Sequence, residues 1–183
     1  MPIVLLGFMG VGKTTTASLL ELPVYDMDQI IEERIGMSIA DYFSLKGETA
    51  FRQIETEVLK ELLTLPPDCI VSTGGGVVKS EVNRKLLLEN KDNNVLLTAS
   101  FEVAYQRISM DDQSPRPLFL QHSKDEFKAI YQERMSLYQD WATTVFDTDL
   151  LGPKQVAGKF LGKKLIGDLG VLSPINFPGR HSQ

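Results

Sequence analysis

Short apolar runs alternate with amphipathic stretches along almost the whole chain. Ile3-Val4-Leu5-Leu6 is apolar at four consecutive positions and stops at Gly7, the pattern of a strand covered on both faces of a parallel sheet. A glycine-rich turn and a short helix over Lys13–Leu20 follow. Val24-Tyr25 reads as a second brief strand running into Asp26-Met27-Asp28, and Gln29–Ile35 as a helix that stops at Gly36. Ser38 and Asp41 have the spacing of a capping box and open a short helix ended by Gly47. Glu48–Leu63 is the clearest helix, with Phe51, Ile54, Val58 and Leu62 along one face. After the Pro66-Pro67 break, Cys69-Ile70-Val71 is a third strand leading into Gly74-Gly75-Gly76. Ser80 caps a helix to Leu88, Val95-Leu96-Leu97 is a fourth strand, and Phe101–Ile108 is helical. Ser109–Ser123 is polar, interrupted by proline, and reads as a mobile loop; Lys124–Trp141 is a long helix. Thr144-Val145-Phe146 is a fifth strand, and Gly152-Pro153 opens a last helix to about Ile166.

Strands that alternate with helices from end to end predict a three-layer α/β fold: a five-stranded parallel sheet with helices on both faces, joined by right-handed crossovers. With 183 residues and no internal repeat, the expectation is one domain over residues 1–166. The tail, residues 167–183, has no periodicity and is expected to be poorly ordered.

Composition removes several functional classes. The net charge of −5 argues against a nucleic-acid partner, which selects a basic field. No run of about 18 apolar residues exists to span a membrane. The apolar start has no basic segment before it and no small-residue cleavage pattern, so it reads as a buried strand rather than a secretion signal. One cysteine, Cys69, excludes an internal disulfide and a multi-cysteine zinc site, and fits a reducing, cytoplasmic setting. Two histidines, His122 and His181, leave no histidine-rich metal site. Cys69 and His122 read as structural or surface residues, and Trp141 as core or lining without a cofactor signal.

The candidate chemistry begins at Gly7-Phe8-Met9-Gly10-Val11-Gly12-Lys13-Thr14, which matches the phosphate-binding loop G-x-x-x-x-G-K-[ST]. Its glycines let successive backbone N–H groups turn inward toward phosphate oxygens. The following helix presents its positive end. Lys13 adds a point charge at the β- and γ-phosphates, and Thr14 a hydroxyl for Mg²⁺. A chance glycine-rich turn would lack the strand before it and the helix after it.

Asp26 and Asp28 lie at the carboxyl end of the second strand, where ligands bind in open parallel sheets. In extended chain their side chains would share a face; the competing reading is a helix cap. Arg52 and Glu55 stand three apart on the clearest helix and are in reach of each other. Three consecutive glycines at a strand end, Gly74 to Gly76, suit close approach of a ligand to backbone, or a flexible turn. Arg116-Pro117-Leu118 lies in the polar loop and Arg134 on the long helix, each alone an ordinary surface charge.

Taken in this order, the set resembles the shikimate kinases, a family of nucleoside monophosphate kinase-like phosphate-loop proteins. The resemblance covers roughly Ile3 to Ile166. It rests on Asp26-Met27-Asp28, Phe51-Arg52-x-x-Glu55, Gly74-Gly75-Gly76, Arg116-Pro117-Leu118, and Arg134 followed by Leu137-Tyr138. It implies ATP-dependent phosphorylation of the 3-hydroxyl of shikimate, on the route to aromatic amino acids, with Mg²⁺ as cofactor and a monomeric cytoplasmic enzyme. Gly10, Val11, Gly12, Lys13, Thr14, Thr15, Arg107 and Arg116 would contact ATP. Asp28, Arg52, Gly74, Gly75, Gly76 and Arg134 would contact shikimate, the two arginines at its carboxylate and Glu55 bracing Arg52. Lys13, Asp28 and Arg116 would be catalytic; Thr14, and Asp26 through water, would serve the metal. The acceptor-binding region would span about residues 29–63 and the lid about 109–123. Local cations would outweigh the net negative charge, because salt screens beyond about 8 Å.

The chain departs from the family pattern in a shortened Lys13–Asp26 segment, in the acidic Met110-Asp111-Asp112, and in the tail. Two other readings stay open at this point. One is a kinase of a different small acceptor, such as gluconate or a nucleoside monophosphate. The other is a nucleotide-binding regulator without catalysis.

Overall fold

The computed structural model describes residues 1–111 and 117–167. Its centre is a five-stranded sheet of β1 (Ile3–Leu6), β2 (Val24–Asp26), β3 (Ile70–Ser72), β4 (Asn94–Thr98) and β5 (Thr144–Asp147). The order across the sheet is β2-β3-β1-β4-β5, and every neighbouring pair is parallel. Leu5 of β1 lies opposite Ser72 on one side and Val95 on the other.

The unbroken apolar run in β1 has a simple cause. Successive side chains point to opposite faces, and both faces are covered. Ile3 and Leu5 enter one core with Phe8, Leu97, Phe101, Phe127 and Phe160. Val4 and Leu6 enter the other with Met27, Ile31, Val58, Leu59, Val71, Leu87 and Tyr138. The first core is closed by α1 (Lys13–Ala17), α5 (Phe101–Ser109), α7 (Lys124–Tyr138) and α8 (Pro153–Gly167). The second is closed by α2 (Met27–Ile35), α3 (Ile39–Leu62) and α4 (Glu81–Glu89). Helix α7 serves both, with Phe127 in one core and Tyr138 in the other. The three-layer parallel architecture expected from the sequence is therefore the one observed.

Element ends differ in instructive ways. The first helix stops at Ala17 rather than Leu20, so the segment after the phosphate loop is a stub of five residues. Helix α2 begins two residues earlier than expected, at Met27, because the Asp26 side chain accepts hydrogen bonds from the backbone N–H of Asp28 and Gln29. The two helices expected on either side of Gly47 run end to end as α3, broken at Gly47 itself, whose φ of 81° is open to glycine at little cost. The long helix ends at Tyr138, not Trp141. Within the segment read as a loop, Pro117–Leu120 forms one turn, α6, and Leu118 and Phe119 pack on the first core. Among the described residues no helix is long and apolar enough to cross a membrane.

Four serines, Ser38, Ser80, Ser100 and Ser123, cap α3, α4, α5 and α7. Ser123 forms a full capping box: its hydroxyl accepts from the Glu126 N–H while the Glu126 carboxylate accepts from the Ser123 N–H at 2.8 Å. Ser123→Ala should remove about 1 kcal/mol of stability. A melting temperature lowered by about 2–4 °C is the expected readout.

Candidate active site

The loop between β1 and α1 curls over the carboxyl end of the central strand. Gly7 has φ 143°, and a Cβ there would run into the Leu97 carbonyl oxygen, so no other residue fits the turn. Gly12 occupies the N-cap position of α1 without a side-chain cap, which leaves the first-turn amides pointing outward. The Lys13 ammonium folds back and donates to the carbonyls of Gly7 at 2.8 Å and Phe8 at 3.0 Å. The Tyr138 hydroxyl donates to the same Gly7 carbonyl at 3.1 Å. Burial pushes the Tyr138 phenol well above its ordinary pKa, so it stays a neutral donor.

Next to this loop lies the triglycine turn after β3. A Cβ on Gly75 would stand 3.3 Å from the Met9 backbone nitrogen, so this turn backs directly onto the phosphate loop. A Cβ on Gly74 would meet Asp28 Oδ1 at 2.5 Å, and one on Gly76 would meet Arg52 Nη2 at 2.9 Å and Arg134 Nη1 at 3.3 Å. The three glycines are thus where a carboxylate and two guanidinium groups come against main chain.

Both arginines are held. Arg52 Nη1 donates to Glu55 Oε2 at 2.7 Å and to the Gly76 carbonyl at 3.1 Å. Its Nε and Nη2 reach Glu48 Oε1 at 3.3 and 3.2 Å, and its plane lies over the rings of Phe51 and Phe43. Arg134 Nη1 donates to the Gly75 carbonyl at 3.0 Å, and the guanidinium lies over Phe8. Burial draws the Arg134 pKa below its ordinary value; Tyr138 opposes that, and the neighbouring Arg52 cation adds to it. Two partly covered cations converging on one turn make a place where an anion gains free energy from both. Glu55, only 2 % exposed, has its carboxyl pushed up by burial, with Arg52 pulling the other way.

A small hollow of about 160 Å³ adjoins the phosphate loop, lined by Val11, Gly12, Thr15, Arg107, Thr148 and Leu151. Arg107 donates to the Thr148 hydroxyl at 2.9 Å, to the Thr148 carbonyl at 2.8 Å and to the Gly10 carbonyl at 3.4 Å.

A family model described as shikimate kinase matches residues 9–164. The chain belongs to the shikimate kinase family. A shikimate kinase from Streptococcus suis is 76% identical over 163 residues, covering 89% of this chain and all of that protein. One from Streptococcus thermophilus is 56% identical, with 86% of this chain and 96% of that protein covered. Among solved structures, the shikimate kinase from Acinetobacter baumannii in complex with shikimate superposes with a TM-score of 0.80 at 31% identity, covering 92% of this chain and 95% of that one.

Against the residues the sequence picked for a shikimate kinase, the structure groups Asp28, Arg52, Gly74, Gly75, Gly76 and Arg134 in one cleft beside Lys13. Val11, Gly12, Thr15 and Arg107 line the small hollow, and Gly10 touches Arg107. Thr14 lies in the first turn of α1. Arg116 lies outside the described residues. One geometric expectation needs correcting: Asp26 and Asp28 do not alternate along extended chain. Asp26 is the cap of α2 and Asp28 lies inside its first turn, where the helix brings it back against Gly74. His122 packs against its own segment with Nδ1 2.8 Å from the Leu118 carbonyl, Cys69 is buried, and Trp141 donates to the Leu137 carbonyl.

Sequence reasoning passed over Glu48, Lys79 and Thr148, and gave Phe8 and Tyr138, though quoted within motifs, no role of their own. Phe8 fills an unspecified position of the phosphate loop, and Thr148 carries no motif. Glu48 and Tyr138 do carry a signal, since each stands four residues from a singled-out arginine and so shares its helix face. Lys79 reaches Glu48 at 2.5 Å only because the turn after the glycines folds back on α3.

Gly74→Ala should fold, but its methyl group must displace the Asp28 carboxylate. A misplacement of that size is expected to lower kcat by about 100-fold while the circular-dichroism spectrum is unchanged.

Proposed function

We propose that this chain transfers the γ-phosphoryl group of ATP to the 3-hydroxyl of shikimate, giving shikimate 3-phosphate and ADP. The observation that carries the reading is the convergence of Arg52 and Arg134 on the triglycine turn, beside Asp28 and directly against the phosphate loop. A small acceptor with one carboxylate and several hydroxyls fits that pattern. The carboxylate pairs with the two guanidinium groups, whose planar forks match it. The hydroxyls face Asp28, which orients the 3-hydroxyl and stands ready to take its proton.

The phosphates lie on the amides from Gly10 to Thr15. Lys13 then leaves the carbonyls of Gly7 and Phe8 and turns to the β- and γ-phosphates. Phosphoryl transfer asks little covalent work of the protein; alignment and neutralisation of the γ-oxygens carry the rate. Arg116 supplies a further cation there from the lid, about residues 109–123. Arg107 flanks the base in the hollow beside Thr148.

The Thr14 hydroxyl and the Asp26 carboxylate are hard oxygen donors of the kind Mg²⁺ accepts, and Asp26 uses Oδ1 for its cap. Among the described residues no group of three or more acidic, histidine or cysteine side chains forms a cage, so these two suit an ion that arrives on ATP with its own waters. That ion neutralises charge on the phosphate oxygens when bound. The same reading makes the chain a cytoplasmic monomer with one domain over residues 1–166 and an acceptor-binding region over about 29–63.

ADP release measured by a coupled assay should depend on shikimate. Turnover with gluconate or AMP, and none with shikimate, would favour another acceptor; ATP binding without turnover would favour a regulator. Arg134→Ala should raise the KM for shikimate by at least about tenfold and leave the KM for ATP within about twofold, as loss of a charged contact to one substrate requires.

A further inference from the structure

Asn83, in the first turn of α4, is fully buried, and both its amide hydrogens and its oxygen are hydrogen-bonded. Its Nδ2 donates to Glu55 Oε2 at 3.2 Å and to the Val77 carbonyl at 3.1 Å. Its Oδ1 accepts from the Thr56 hydroxyl at 2.6 Å. This orientation of the amide is forced. Turned over, it would set its oxygen against a carboxylate oxygen and a carbonyl oxygen at once.

The contacts close a ring. Glu55 Oε2 takes hydrogen bonds from both Asn83 and Arg52, and Arg52 in turn donates to Gly76, the residue before Val77. Helices α3 and α4 and the triglycine turn are therefore fixed to one another through a single carboxylate oxygen.

We propose that Asn83 is a positioning residue for acceptor binding: it holds Glu55 as an oriented carboxylate, and Glu55 in turn keeps Arg52 turned toward the acceptor's acid group. The proposal rests on the reading of the cleft as a shikimate site. The groups around Glu55 show why a neutral donor is needed there. Burial and Asp28 of α2 favour its protonated form. Arg52 of α3 and Arg134 of α7 favour the ionised form, but both are the cations an incoming acid would engage. Asn83 of α4 adds a donor that no acid competes for, and a hydrogen bond to the charged form favours that form. Once Glu55 takes a proton, the only other carboxylate paired with Arg52 among the described residues is that of Glu48, 48 % exposed and already tied to Lys79. The guanidinium would then be drawn off the triglycine turn toward the surface.

The test uses the full chain carrying Asn83→Leu, close in volume and without donors, and separately the milder Thr56→Val, which frees the amide to turn. Steady-state constants for both substrates are measured from about pH 5 to about pH 9, a range that covers a raised carboxyl pKa. For Asn83→Leu the expected result is a KM for shikimate raised about tenfold, with kcat and the KM for ATP within about twofold. The acid limb of kcat/KM for shikimate should move up by about one pH unit, because Glu55 now protonates more easily as the pH falls. Thr56→Val should shift both in the same direction by a smaller factor. In a Glu55→Gln background, Asn83→Leu should add little.

Folded variants with the wild-type KM for shikimate and an unmoved acid limb would overturn the proposal. So would an equal change in kcat and both KM values, the mark of a general loss of structure. If Asn83→Leu does not fold, Thr56→Val decides alone. A wild-type chain that turns over shikimate while the variants match it rejects the role of Asn83 only; a wild-type chain inert toward shikimate rejects the functional reading beneath it.

Discussion

The acceptor side of the cleft is arranged around one buried carboxyl group. Glu55 is 2 % exposed, and an ion taken out of water costs several kcal/mol unless partners surround it. Its partners are therefore not optional. Arg52 supplies one, Asn83 another, and the requirement that both reach a single oxygen fixes where α3, α4 and the triglycine turn stand. A guanidinium placed in this way is directed before any ligand arrives. An arginine left on the surface would lose rotamer freedom on binding; Arg52 has already lost it in folding.

Helix α7 performs the matching task on the other side. Tyr138 donates to Gly7 of the phosphate loop, and Arg134, one turn earlier on the same face, donates to Gly75. The pitch of one helix thus sets the spacing between the surface that takes phosphate and the surface that takes the acid. Phe8 fills the space beneath Arg134, while its backbone carbonyl accepts from Lys13. One residue ties the two halves of the cleft at their closest point. In phosphoryl transfer, where distance and alignment supply much of the rate, such rigid spacing is a direct contribution to catalysis.

Much of this was legible in the residues themselves. Each of the five strands lay on a short apolar run, and in the central strands β1, β3 and β4 that run is unbroken because both faces of the sheet are covered there. The phosphate loop, the triglycine turn and the Arg52–Glu55 pair were found from local spacing, and local spacing is what sequence reports well. What was hidden depended on contacts between distant segments. Asn83 and Thr56 carry no motif, yet they meet across 27 positions of sequence. Lys79 meets Glu48 only through the fold-back of the triglycine turn, and Thr148 meets Arg107 across the first core's edge. The placement of Asp28 failed for a different reason. A capping aspartate at Asp26 turned an extended dipeptide into the start of a helix, and propensity alone does not choose between the two.

The strand order has a consequence of its own. With β1 in the middle, the groups that meet the acid come from segments after β2 and β3 and from α7, while the small hollow by Arg107 combines the phosphate loop after β1 with segments after β4 and β5. Outside the shared phosphate loop and α7, the residues named at one margin of the sheet make none of the contacts described at the other. Selection on either co-substrate is then free to proceed without re-tuning its counterpart, an architecture suited to descendants that keep one donor while exploring new acceptors.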